Sequence, residues 1–75
     1  MEYLLNNAAV RQNLVVKQIN IKDVDKLRRL QELGLVCGQK IVLVAKPTKN
    51  VRLLLIRGSI VALDSLICSK VVVCG

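Results

Sequence analysis

Two aliphatic runs, Lys40–Lys46 (KIVLVAK) and Val51–Arg57 (VRLLLIR), stand four residues apart and restrict the fold more than any other feature of the chain. Both are short and rich in branched side chains, as strands are. The link between them, Pro47-Thr48-Lys49-Asn50, is polar and holds the only proline, a turn former. A β-hairpin is predicted. With a symmetric link, Val42 faces Leu55 and Val44 faces Leu53, while Ile41 faces Ile56 and Leu43 faces Leu54 on the other side. Successive strand side chains point to opposite sides, so these are two separate faces. A strand packed on one side should be apolar on one face only, but this hairpin is apolar on both. One set fills a core. The other set needs a cover, supplied either by the chain itself (a helix, or the segment around Leu4 and Leu5) or by another chain.

The remaining pattern places the hairpin in a larger sheet. Asn13–Ile21, Ser59–Leu63 and Lys70–Val73 read as further strands, with a single helical turn between Asp64 and Ser69. One segment has helical period: Val24, Leu27, Leu30 and Leu33 share one side of a Val24–Leu33 helix. Asp23 is its expected N-cap, and Gly34 stands where a left-handed C-terminal cap belongs. Asp25 with Arg29, and Arg28 with Glu32, have the spacing of exposed i,i+4 ion pairs. The order predicts a mainly β fold: a small antiparallel barrel of about five strands with one short inserted α-helix, forming a single domain over residues 1–75. The chain carries 13 Leu, 12 Val and 6 Ile in 75 residues, which excludes disorder.

Several function classes lose support from what is missing. There is no His, the commonest general base and metal ligand. Cys37, Cys68 and Cys74 make no metal-knuckle spacing. The carboxylates are few and dispersed, and no Gly-rich phosphate loop or nucleophile–base pair is present. No catalytic residue, cofactor or metal site is therefore expected. The longest apolar run, Ile41–Ala45, is far below the ~20 residues of a membrane span, and no export signal is visible, so a cytoplasmic protein with reduced thiols is expected. The formal charge of +7 calls for an anionic neighbour. Nucleic acid fits poorly, because Tyr3 is the only aromatic and Arg28-Arg29 the only adjacent basic pair.

At Leu27–Gly38 (LRRLQELGLVCG) the sequence resembles the ferrous iron transport protein A (FeoA) family, whose usual pattern is a basic helix ending in L-G-L-x-P-G. Val51–Gly58 (VRLLLIRG) is similar to the family's strand ending in R-G, and Ile60–Val73 to its closing aliphatic stretch. The resemblance runs from about Leu5 to Val73. It implies an SH3-like barrel and a non-enzymatic cytosolic protein that docks on FeoB, the ferrous-iron permease with a cytosolic GTP-binding domain, and modulates transport or nucleotide turnover. Cys37 replaces the usual Pro, and Cys68 stands where a small buried residue is usual, which implies a core thiol. The candidate partner-binding residues are the aliphatics Val42, Val44, Leu53 and Leu55, the helix cations Lys26, Arg28 and Arg29, and the loop cations Lys46 and Lys49. The aliphatics would supply affinity and the cations orientation. Anionic lipid beside a permease would add ~1 kcal/mol per cation near its surface. The alternatives are a basic regulatory barrel that binds nucleic acid and a homodimer formed through the aliphatic face.

Overall fold

In the computed structural model, which describes residues 1–75, six antiparallel strands form one sheet. They are β1 (Glu2–Leu4), β2 (Asn13–Ile19), β3 (Lys40–Thr48), β4 (Val51–Ile56), β5 (Ser59–Asp64) and β6 (Val71–Cys74). The spatial order is β1-β6-β2-β3-β4-β5. Helix α1 (Val24–Glu32) follows β2, a short helix α2 (Ser65–Cys68) follows β5, and a 3-10 turn (Leu5–Asn7) follows β1. The turn after β1 and the helix after β5 meet: the Asn6 side-chain amide donates to the Ser65 carbonyl at 2.8 Å, joining the two ends of the sheet. This is the small antiparallel barrel expected from the order of elements, with six strands in place of about five, and it is SH3-like as the resemblance implies.

The inward positions alternate as the hairpin pattern requires. Ile41, Leu43, Leu54 and Ile56 are buried, and they join Leu14, Val16, Val71 and Val73 from β2 and β6 in one core. The ends of α1 follow from named residues. The Asp23 carboxylate accepts from the Asp25 and Lys26 backbone N–H groups, satisfying two donors that a helix start leaves free. At the other end Leu35 N–H donates to Leu30 O at 2.9 Å and Gly34 N–H to Gln31 O at 3.0 Å. These two bonds make a Schellman motif, which needs the left-handed backbone that Gly34 adopts at φ 98°. The motif drives Leu30 and Leu35 into the core together.

Several expectations change. Tyr3 and its neighbours form a strand, so the sheet gains β1 on β6; three residues are too few to show a two-residue period in the sequence. The first long strand stops at Ile19, two residues early, and the last begins at Val71. β3 runs through Pro47, leaving Lys49 and Asn50 as the turn where a four-residue link was predicted. The ladder slips twice near that end: Leu43 pairs with Leu54, Ala45 with Leu53, and Thr48 with Val51. Ala45, not Val44, is thus the partner of Leu53, because two residues of β3 oppose one of β4. Pro47 lies inside the second irregularity, where a missing N–H costs no ladder bond. On α1 the ion pair is Arg28 with Asp25 at 2.9 Å, one turn back, in place of the expected Asp25–Arg29 pair. Of the helix's apolar stripe only Leu30 is buried, whereas Val24 and Leu33 remain exposed.

Candidate functional site

The outward face of β3, β4 and β5 carries the candidate site. Alternation from the buried Leu54 and Ile56 turns Leu53 and Leu55 outward, and the ladders set their neighbours. Val42, Leu55 and Ile60 lie side by side in one row, and Ala45, Leu53 and Ala62 in the next, with Val44 at the slip. Val42, Val44 and Leu53 are half-buried, whereas Leu55 is 36% and Ile60 57% exposed. The chain does not cover this face. Its N-terminal segment is used at the far edge of the sheet, in β1 against β6 and in the buried Leu5. Helix α1 sends Leu30 to the core.

Ile60 and Ala62 were not among the residues singled out from the sequence, although a signal was present. Arg57 and Gly58 form a two-residue turn with φ 51° and 82°. Two positive values mark the type I′ turn that fixes hairpin register, and only glycine takes such a φ without steric cost. Counting outward from that turn pairs Leu55 with Ile60 and Leu53 with Ala62.

The cations divide into groups. Lys40 and Arg57 border a shallow groove of about 650 Å³ whose floor includes Val15, Val42 and Leu55. The Arg57 guanidinium donates to the Gln39 side-chain oxygen at 3.1 Å, which holds it at the groove. Lys46 and Lys49 are exposed at the loop end of the β3–β4 hairpin. Lys26 lies elsewhere, in a depression shared with Asp64, Leu66, Ile67 and Lys70, while Arg28 and Arg29 line a third one with Asp25 and Glu32. The helix cations and the hairpin aliphatics, taken together as candidates from the sequence, are therefore on separate depressions. Three of the five acids are engaged locally. Asp23 and Asp64 cap helices and Asp25 holds Arg28, while the five acids together leave a net charge of +7.

The thiols are scattered. Cys68 is fully buried on α2, the core position expected of it, and desolvation pushes its thiol up to about 11 despite the nearby Arg52. Cys37 is exposed in a turn and Cys74 half-buried at the end of β6. No three Cys, Asp or Glu side chains are grouped to hold a metal ion. No helix is long and apolar enough to cross a membrane. What the surface offers chemically is an apolar sheet face with cations at its border.

A family model, the FeoA domain, matches residues 3–74. The chain belongs to the FeoA domain family. The match starts within β1 and runs to the end of β6. Among curated proteins no significant match is found. The FeoA fold recurs in solved structures. An iron uptake regulatory protein (FeoA) superposes with a TM-score of 0.85 at 18% identity, over 97% of this chain and 94% of that one. A FeoA-like protein from Clostridium acetobutylicum gives 0.80 at 22% identity, over 96% and 84%. A manganese-dependent transcriptional repressor gives 0.85 at 18% identity and covers 96% of this chain, which spans only 40% of the repressor. At these identities the likeness is one of fold. In this FeoA chain the turn ahead of β3 is made by Cys37 and Gly38, with Gly38 at φ 90°.

Proposed function

We propose that this chain is a non-enzymatic binding module of ferrous iron uptake that docks on the cytosolic domain of a FeoB-like permease and modulates transport or nucleotide turnover. Membership of the FeoA family supports the pathway. The observation that carries the docking is the aliphatic row Val42, Leu55 and Ile60, in which Leu55 and Ile60 are exposed to solvent. Val42, Val44, Leu53 and Leu55 supply the apolar contact, and Lys46 and Lys49 at the hairpin tip orient it. Arg28 and Arg29 act on approach through the long-range field, since they line a separate depression, while Lys26 stands beside Asp64 at the end of β5. Docking takes place at the cytoplasmic side of the membrane, where anionic lipid favours the same charge.

Titration of the purified chain into the permease's cytosolic domain, with and without guanine nucleotide, tests this. Saturable binding is expected, lost in the double variant Leu53→Asp plus Leu55→Asp. Absence of binding at high micromolar concentration in both nucleotide states would refute it. The repressor likeness favours a second reading, a regulatory barrel that binds nucleic acid. A mobility shift of duplex or single-stranded probes, weakening steeply with salt, would establish it. The same double variant in sedimentation tests the homodimer: a lower mass than wild type reports a dimer, and an unchanged mass removes it.

A further inference from the structure

The two edges of the sheet are treated differently. β1 is three residues long and ends in a 3-10 turn, a blunted edge. β5 is six residues in unbroken register with β4, and its sequence, Ser59-Ile60-Val61-Ala62-Leu63-Asp64, carries its one charge, Asp64, at the last position and holds no Lys, Arg, Pro or bulge. These are the devices by which edge strands normally refuse a further strand. The two-residue turn makes Ile56 and Ser59 a hydrogen-bonded pair, and such pairs alternate along an antiparallel ladder. Val61 and Leu63 accordingly bond to β4, whereas the N–H and C=O groups of Ile60 and Ala62 point away from it. Outside the ladder none of those four groups has a hydrogen-bond partner in the chain.

We propose that β5 is a strand-addition site: an extended acidic segment of another protein pairs with Ile60 and Ala62 and continues the aliphatic rows of the outward face. The proposal rests on the docking reading above and specifies its contact. Backbone donors and acceptors in strand spacing select an extended chain. The row Val42, Leu55 and Ile60 selects an apolar residue at alternate positions of that chain. Charge selects its flanks. Arg57 stands at one end of β5, and at the other Lys26 and Lys70 share a depression with Asp64. The same charge, +7 on each copy, repels a second copy of this chain.

The test uses the full chain, isotope-labelled, titrated with an end-blocked peptide of alternating valine and threonine flanked by glutamates. A twin peptide N-methylated at alternate residues serves as control. The amide signals of Ile60 and Ala62 should shift and their hydrogen exchange slow, and the N-methylated twin should not bind. Ala62→Pro removes an N–H that no ladder bond uses, so affinity should fall roughly tenfold with the fold retained. Ile60→Lys, a charge on the edge, gives the same loss by a second route if the proline variant fails to fold. Absence of change at Ile60 and Ala62, or equal binding of the N-methylated twin, overturns the proposal. So does concentration-dependent protection of those amides in the free protein, which would place a second copy on the edge. If the permease domain binds wild type and Ala62→Pro equally, docking stands and strand addition falls. If the peptide binds and the permease domain does not, the edge site stands and the permease reading falls.

Discussion

Leu54 and Leu55 are adjacent leucines on one strand, and the fold predicts opposite consequences for removing them. Leu54 is 0% exposed and packs within the core, whereas Leu55 is 36% exposed and touches its lateral neighbours Val42 and Ile60. Truncating a buried leucine to alanine loses both the transfer free energy and the contacts around the cavity, about 2–5 kcal/mol. A chain of this size has a total stability of roughly 4–11 kcal/mol on a per-residue basis, so Leu54→Ala removes a large fraction of it. Leu55→Ala loses two cross-strand contacts worth roughly 0.2–1 kcal/mol each. Mid-range values differ by about 2 kcal/mol, and for a domain of 60–100 residues each kcal/mol moves Tm by about 4–8 °C, which places Leu54→Ala roughly 10–20 °C below Leu55→Ala. Urea titration followed by far-UV circular dichroism, with a common m-value, measures both. Equal destabilisation by the two variants would refute the assignment of Leu55 to an open face. It would mean that some part of the chain closes over the outward row and that no surface is left there for a partner.

Gly34→Ala should cost about 2 kcal/mol in the same assay, because an L-residue is strained at φ 98°. The added Cβ would also stand 3.0 Å from Ile56 Cγ2. Asp23→Ala should lose about 0.5–2 kcal/mol through the two amide bonds at the start of α1, and Asp23→Asn should recover most of it. Under native conditions a thiol reagent should modify Cys37 fast and Cys68 only on unfolding, as read by mass spectrometry of digests. Raising the pH from 9 to 11 should destabilise the fold. The unfolded Cys68 thiol loses its proton from about 9, while the buried one keeps it to about 11, so the unfolded state is favoured by up to roughly 2–3 kcal/mol. Cys68→Ala should flatten the stability profile over that window.

The hairpin shows how much of the site was legible. Strict alternation in KIVLVAK and VRLLLIR was enough to separate Ile41, Leu43, Leu54 and Ile56 from Val42, Leu53 and Leu55, and the structure buries the first group and leaves the second at the surface. The register failed at Val44. Pro47 marks an interruption but not its length, and two slips depend on how the strand end meets β4. The helix cations were grouped with the hairpin because local pattern assigns a residue to a face of its own element. Where α1 sits against the barrel is settled by Leu30 and Leu35 entering the core through the Schellman motif.

By itself the sequence determined the elements and their sidedness: a two-residue period for the strands, a 3.6-residue period between Asp23 and Gly34 for the helix, and a surplus of aliphatics with nowhere inside to go. These are local properties, readable because side-chain direction follows backbone period. Only the tertiary structure decided that three residues at the N-terminus complete one edge, that β5 is left as the other, and that neither α1 nor the N-terminus shields the outward rows. Those outcomes depend on pairings between segments distant along the chain, whose relative placement no local period encodes.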